Sequence, residues 1–200
     1  TVVKIEQAKN MQIVNCWVCE LPNSIELIGG ENIVVKNCQL GAQPTGITCK
    51  VQEVNKLSFI NNQVYPDGRE NLVLDACNNC VIEGNNFKSY YNGILVLNGN
   101  DNTVNKNIFW LTGAVQNQLL DHGDDFGIIN VKGNNNMVAS NSLSCEWAYA
   151  GAVTVNAVQG TGNVFKNCFV DNLESYRVFL VNAQTEVSNC VSSDKVSIVE

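Results

Sequence analysis

Residues 31–40 read ENIVVKNCQL, and the chain repeats that pattern seven more times. KNMQIVNCWV (9–18) precedes it. NKLSFINNQV (55–64), NNCVIEGNNF (78–87), NDNTVNKNIF (100–109), NNNMVASNSL (134–143), TGNVFKNCFV (161–170) and AQTEVSNCVS (183–192) follow. The windows end 22, 24, 23, 22, 34, 27 and 22 residues apart. Self-similarity at a fixed period marks a stack of units, each of which buries its apolar face only against its neighbours. A spacing near 22 residues is one coil of a parallel β-helix. The expected fold is all-β: a single-stranded right-handed parallel β-helix, or solenoid, of about eight coils, one per window. Residues 1–200 form one domain in this reading, with an inserted loop at about 110–126.

The eighth window position sharpens the assignment. It reads Cys16, Cys38, Asn62, Asn85, Asn107, Asn141, Cys168 and Cys190. An inward Asn stacked on the Asn of the next coil makes an amide ladder that satisfies turn carbonyls, and Cys fits the same small buried slot. A second strand follows the window in most coils, as in SIELIG (24–29), NLVLDA (71–76) and GIINVKG (127–133). These alternate apolar and polar residues like half-buried strands, and GN, NN and DG steps between them supply turns. An ordinary β-sandwich would not repeat one window in this way.

Composition agrees. Of 200 residues, 45% are apolar and 16% charged, with 31 Asn, 27 Val and 15 Gly. Those three residue types are mediocre or poor helix formers, which argues against a bundle or coiled coil. The net charge of −7 argues against nucleic acid as partner, since Lys and Arg on phosphates supply that affinity. No apolar run reaches transmembrane length, so no membrane partner is expected. The start at Thr1 lacks a basic, then apolar, leader. That start fits a processed chain, a domain of a longer protein or a natural fragment, and leaves the three open.

The nine cysteines are expected to be structural thiols. Cys16–Cys19 and Cys77–Cys80 have C-x-x-C spacing, but a zinc site needs four ligands and the chain has one His. No metal and no organic cofactor is expected. Stacked reduced thiols lean toward a reducing compartment. Secreted β-helices also bury free Cys, so secreted and cytoplasmic locations both stay open.

Acidic side chains supply the candidate chemistry. The long step between windows holds WLTGAVQNQLLDHGDDF (110–126), where Asp121, His122, Asp124 and Asp125 cluster. Solenoid insertions project from one face and often carry the binding surface. This one reads either as a substrate-facing acidic loop or subunit contact, or as a solvated turn. The D-x-D-x-D-G spacing of a calcium loop is absent. Glu20 and Glu26 lie close in sequence near the start, Glu26 alternating with Ile25 and Leu27 and so pointing outward. Two carboxylates on one face are the minimal kit for glycoside chemistry, one protonating the leaving oxygen and one stabilising the cationic centre. Two solvated surface acids would give the same pattern. Trp110, Tyr90 and Tyr91 are candidates for stacking on sugar rings or for packing between subunits.

The runs VCELPNSIELIGGENIVVKNCQLGAQPTGI, NLVLDACNNCVIEGN, NGILVLNGN and DHGDDFGIINVKGNNNMVASN together resemble the inulin fructotransferases and their relatives, the difructose anhydride III hydrolases. The resemblance runs from about residue 9 to residue 145 and is most specific in CNNCVIEGN and the long acidic loop. It implies a trimeric β-helix with active sites between subunits and no cofactor. The implied activity cleaves the β-2,1 fructosyl linkage of inulin to form a cyclic difructose anhydride, or hydrolyses that anhydride. By the resemblance, Glu20 matches the catalytic acid and Glu26 a substrate-contact residue, and Asp121, Asp124 and Asp125 are candidates to reach a substrate across an interface. The family's second catalytic acid, an Asp eleven residues before the Glu, is here Lys9. The alternative is therefore a structural or carbohydrate-binding module that has lost catalysis. A lyase or epimerase acting on uronates fits less well, because only 12 Lys and Arg are present and they do not cluster.

Overall fold

The seventh window position bends the chain in every coil. Asn15, Asn37, Asn61, Gly84, Lys106, Ser140, Asn167 and Asn189 all take positive φ, between 51° and 67°. One left-handed residue turns an extended chain sharply, and Asn and Gly adopt that region at the lowest steric cost. The residue after it then points its side chain into the interior. In the computed structural model, residues 1–19, 21–112, 125–146, 153–171, 177–191 and 196–199 are described.

Strands fill the sides between these bends. The first three coils carry long strands, β1 (Val3–Val14), β3 (Ile25–Lys36) and β5 (Ile47–Ile60). Later coils split the same stretch in two: β7 (Glu70–Asp75) and β8 (Val81–Glu83), β10 (Leu95–Asn98) and β11 (Thr103–Asn105), β13 (Ile129–Val131) and β14 (Met137–Ala139), β16 (Val153–Ala157) and β17 (Val164–Lys166), β19 (Arg177–Asn182) and β20 (Glu186–Ser188). These strands and β21 (Val196–Val199) form one 14-stranded sheet. A seven-stranded sheet lines the other side: β2 (Trp17–Val18), β4 (Gln39–Leu40), β6 (Gln63–Val64), β9 (Asn86–Ser89), β12 (Ile108–Leu111), β15 (Ser142–Cys145) and β18 (Phe169–Asp171). Each strand pairs in parallel with its counterpart one coil away. The described residues thus form the parallel β-helix that the repeat implied.

Parallel stacking in register makes columns. Leu27, Val51, Leu74, Leu97 and Val131 pair rung to rung and are buried. Leu40, Val64, Phe87, Phe109, Leu143 and Val170 do the same beneath the smaller sheet. The eighth position forms the expected ladder. The backbone N–H of Asn62 donates to Asn85 Oδ1 at 2.8 Å, that of Asn85 to Asn107 Oδ1 at 2.9 Å, and that of Asn107 to Asn141 Oδ1 at 2.9 Å. Each amide also donates to a carbonyl of the preceding coil, as Asn85 Nδ2 does to Phe59 O at 2.8 Å.

A second amide column runs beside the first. Cys80 N–H donates to Asn102 Oδ1 at 2.8 Å, Asn102 to Asn136 at 3.0 Å and Asn136 to Asn163 at 3.0 Å. It occupies the third window position, which holds Met11, Ile33 and Leu57 in the first three coils. Apolar residues there let β1, β3 and β5 run on. Asn there accepts from the coil below and donates to a corner carbonyl, and the strand breaks.

The same corner brings backbone against backbone. A Cβ on Gly133 would lie 1.7 Å from the Gly99 carbonyl oxygen. The Gly133→Ala variant must push two coils apart, and overpacking of this kind costs about 1–3 kcal/mol. A urea midpoint below the parent's by that amount is the expected outcome; an unchanged midpoint would show that the corner has slack.

Candidate functional site

A groove of about 530 Å³ opens where the chain leaves β2, β4 and β6, between Cys19, Gly41, Ala42, Gln43, Pro44, Tyr65 and Asp67. Cys19, Gly41 and Tyr65 each follow the last residue of one of those strands, so register stacks them. A Cβ on Gly41 would sit 3.4 Å from Cys19 Sγ and 3.5 Å from Tyr65 Cβ, so the missing side chain is what keeps the wall recessed. The Ser24 hydroxyl pins the corner behind it, within hydrogen-bond reach of the Val18 carbonyl at 3.0 Å and of the Gly41 carbonyl.

The rim is aromatic and amide-rich. Trp17 is 78% exposed, and its indole N–H donates to Cys19 Sγ at 2.9 Å. The Tyr65 hydroxyl donates to Gln39 Oε1 at 2.9 Å. A second hollow of about 310 Å³ lies on the other side of the same short strands, bounded by Gln39, Gln63 and Asn86. Ring faces and side-chain amides suit a neutral, hydroxyl-rich ligand: the rings cover apolar sugar faces, and amides both donate and accept.

The sequence-derived site residues fall in separate places. Glu20 lies outside the described residues, while its neighbour Cys19 lines the groove. Glu26 points outward from β3 as expected. Its carboxylate accepts from Thr1 Oγ1 at 3.1 Å and stands 4.0 Å from Lys50 Nζ, with Lys4 and Lys50 as its register neighbours. Asp125 is four coils away. It ion-pairs with Arg177 at 2.9 Å and borders a small hollow of about 140 Å³ with Phe126, Asn130 and Lys132. From the Glu26 rung to the Asn130 rung is about 19 Å at the usual strand spacing, so one chain does not bring Glu26 and Asp125 together. Asp121, His122 and Asp124 lie outside the described residues.

Lys9 sits at the bend within β1, in register with Glu31. The corner before β3 is at the other end of that half-strand, where Val3 N–H donates to the Ser24 carbonyl at 2.9 Å. Lys9 is six residues along β1 from that corner, beyond the left-handed Gln7. Glu6, the other acid near that bend, is held by Lys4 at 2.7 Å, and that contact lowers its carboxyl below the usual range.

Asp67 carries no motif that marks it as a site residue in the sequence. Its segment YPDGRE (65–70) carries a Pro and an Asp-Gly step and reads as a turn, yet the turn puts Asp67 among the residues that line the groove. Glu70, three residues on, is buried and ion-pairs with Arg69 at 3.5 Å. Of the candidate aromatics, Tyr90 is exposed. Trp110 is engaged: Lys88 Nζ lies 4.1 Å from its ring centroid, and its indole N–H donates to Glu146 at 3.0 Å.

Fold and groove together define a parallel β-helix with a polar, aromatic-rimmed surface groove. Residues 3–189 match the family described as periplasmic copper-binding protein (NosD), and the chain belongs to that family. No curated protein matches it by sequence. Among solved structures it is similar to DFA-IIIase from Arthrobacter chlorophenolicus A6 without its lid, at 23% identity and a TM-score of 0.86, covering 99% of this chain and 52% of that one. The same enzyme in complex with GF2 gives 22% identity and a TM-score of 0.83, covering 99% and 52%. In complex with DFA-III it gives 21% and 0.82, covering 99% and 54%. The chain spans about half the length of these structures, and at such identity the likeness establishes the fold.

The family's description names copper. Among the described residues no three of His, Cys, Asp and Glu converge as a metal cage would require. The buried thiols that could offer soft ligands instead donate to backbone carbonyls, as Cys77 Sγ does to Asp75 O at 3.3 Å and Cys80 Sγ to Asn78 O at 3.4 Å. The described side chains do not fit a copper ion.

Proposed function

We propose that this chain is a carbohydrate-active β-helix that takes a neutral oligosaccharide in the groove beside Cys19. The observation that carries the reading is the groove itself: Tyr65 in its wall, Trp17 at its rim, and the chain position of Glu20 immediately after Cys19. The resemblance to the fructotransferases adds the finer reading, cleavage of a β-2,1 fructosyl linkage or opening of the cyclic anhydride. The Glu20 carboxyl would protonate the departing oxygen, and a second carboxylate or an incoming hydroxyl would meet the fructosyl centre. Asp67 is this chain's own candidate for that second acid. The DFA-IIIase structures bound to GF2 and DFA-III support an oligosaccharide as ligand. A homotrimer rests on the family resemblance, with Asp121, Asp124 and Asp125 as the residues to reach a neighbour's groove.

One observation favours a second reading, a module that binds sugar without cleaving it. Lys9 stands where the resemblance puts the family's Asp, and its register neighbour in the next coil is Glu31. The test is chromatography of products after incubation with inulin and, separately, with difructose anhydride III, for the parent and Glu20→Gln. Cyclic dimer from inulin, or opened dimer from the anhydride, falling by about a hundredfold or more in the variant, is the expected result for a general acid. Binding without turnover by a folded parent would establish the second reading. Neither binding nor turnover would overturn both.

A further inference from the structure

The inner column changes chemistry along its length. Asparagines fill its middle rungs, but its first two rungs are Cys16 and Cys38, and its last two are Cys168 and Cys190. The thiols keep the ladder's geometry. Cys168 N–H donates to Cys190 Sγ at 3.4 Å, as Asn62 N–H donates to the Asn85 oxygen at 2.8 Å. At the other end, Trp17 pairs with Gln39 and Gln39 N–H donates to the Cys16 carbonyl at 2.8 Å, so register sets Cys38 one coil from Cys16 in the same slot. We propose that Cys16–Cys38 and Cys168–Cys190 are two sites of reversible intrachain disulfide formation, each bond fastening one coil to the next, while Cys77 and Cys80 stay reduced.

Strand spacing supports this. Neighbouring strands lie about 4.8 Å apart, inside the Cα separation a disulfide accepts. It is somewhat more than the Cβ separation a relaxed disulfide prefers, which makes the bond readily reduced. Access separates the pairs. Cys16 is partly exposed and Cys190 is 6% exposed, whereas Cys77 and Cys80 are at 0%. Thiol acidity does not separate the pairs, because Cys80 lowers Cys77 as Cys168 lowers Cys190. The Cys168 thiol donates to Cys190 and holds it down to about 7, while that contact and burial push Cys168 up. Cys190, lowered by this contact and the more exposed of the two, is the attacking sulfur.

The oxidant is a small-molecule disulfide. The Cys190 thiolate attacks one of its sulfurs and expels the other as a thiolate, leaving a mixed disulfide. Cys168 then gives its proton to water and attacks the Cys190 sulfur, expelling the second thiolate. Two protein thiols are oxidised, and one external disulfide is reduced to two thiols. At the other pair, the more exposed Cys16 takes the role of Cys190 and the buried Cys38 that of Cys168. This chemistry stands apart from the sugar-binding reading.

The test uses the whole chain, reduced, then incubated with oxidised glutathione, denatured and alkylated with iodoacetamide before mass spectrometry. Nine alkylated cysteines are expected before oxidation, one for each free thiol, and five afterwards (nine less four). Cross-linked peptides should join Cys16 to Cys38 and Cys168 to Cys190, and dithiothreitol should restore all nine. In Cys190→Ser, which keeps the side chain's size, only the second bond should vanish. Glutathione retained on single cysteines without cross-links would overturn the proposal. So would bonds reaching Cys77 or Cys80, or loss of both bonds in a Cys190→Ser variant that keeps its strand circular dichroism.

Discussion

Asn107→Ala is expected to destabilise the protein by roughly 3–6 kcal/mol, a large share of the 5–15 kcal/mol that holds a typical domain folded. The Asn107 side-chain oxygen accepts two hydrogen bonds from Asn85, from its backbone N–H and its Nδ2, each at 2.9 Å. Its Nδ2 donates to Ile82 O at 2.9 Å and to Asn141 Oδ1 at 3.0 Å. Asn107 is 1% exposed, so water cannot replace these partners. Alanine strands two donors of Asn85 and the Ile82 carbonyl, and each buried orphan costs about 1–3 kcal/mol. Asn107→Cys should lose roughly half as much, because a sulfur in this slot still accepts the N–H from the coil below, as Cys190 does from Cys168. Equilibrium urea unfolding measures both. Asn98→Ala is the control, an exposed rung whose hydrogen bond goes to Asp75 at 2.8 Å. If Asn107→Ala lost no more than the control, the ladder would be an ornament of the fold, not a support.

That ladder was legible because its chemistry permits few residue types. A slot that must be small, buried and able to accept an N–H admits Asn and Cys, and only those two fill it in eight coils. The left-handed bend one residue earlier is as constrained, though Lys106 and Ser140 blur it in sequence. The second column at Asn102, Asn136 and Asn163 is not legible in sequence because its first three rungs are apolar, so the third window position shows no single type. The groove was less legible for a different reason. Gly41, Ala42, Gln43 and Pro44 are turn residues, and what they enclose depends on how successive coils stack. Carboxylates near in sequence, such as Glu20 and Glu26, invited pairing. In a solenoid, however, a residue's neighbours lie about one coil away in sequence, and Asp67 reaches the wall beside Cys19 from two coils on. Outward alternation placed the Glu26 side chain correctly but could not show the lysines on either side of it.

Phe87→Ala is the second large expected loss, about 3–5 kcal/mol for a fully buried aromatic. Phe87 is completely buried and joins two columns. Its ring stacks on Phe109 with centroids 5.0 Å apart and planes parallel, and faces Phe59 from the larger sheet at 6.0 Å. Alanine leaves a void between the two sheets that the coils above and below cannot close without breaking register. Phe87→Leu, which keeps most of the volume, should lose far less. Because each coil touches only its neighbours, the damage should be local at first. Amide hydrogen exchange should quicken in β6, β9 and β12 at denaturant concentrations where β16 and β19 remain protected. That gradient has a functional reading. Val64, one rung from Phe87, is the residue on which Tyr65 and the groove wall follow. Affinity for a groove-bound oligosaccharide should therefore fall in Phe87→Ala even at temperatures where the chain is folded. Full affinity alongside loosened β6 would separate the groove from this part of the core and place its support in the Ser24 corner instead.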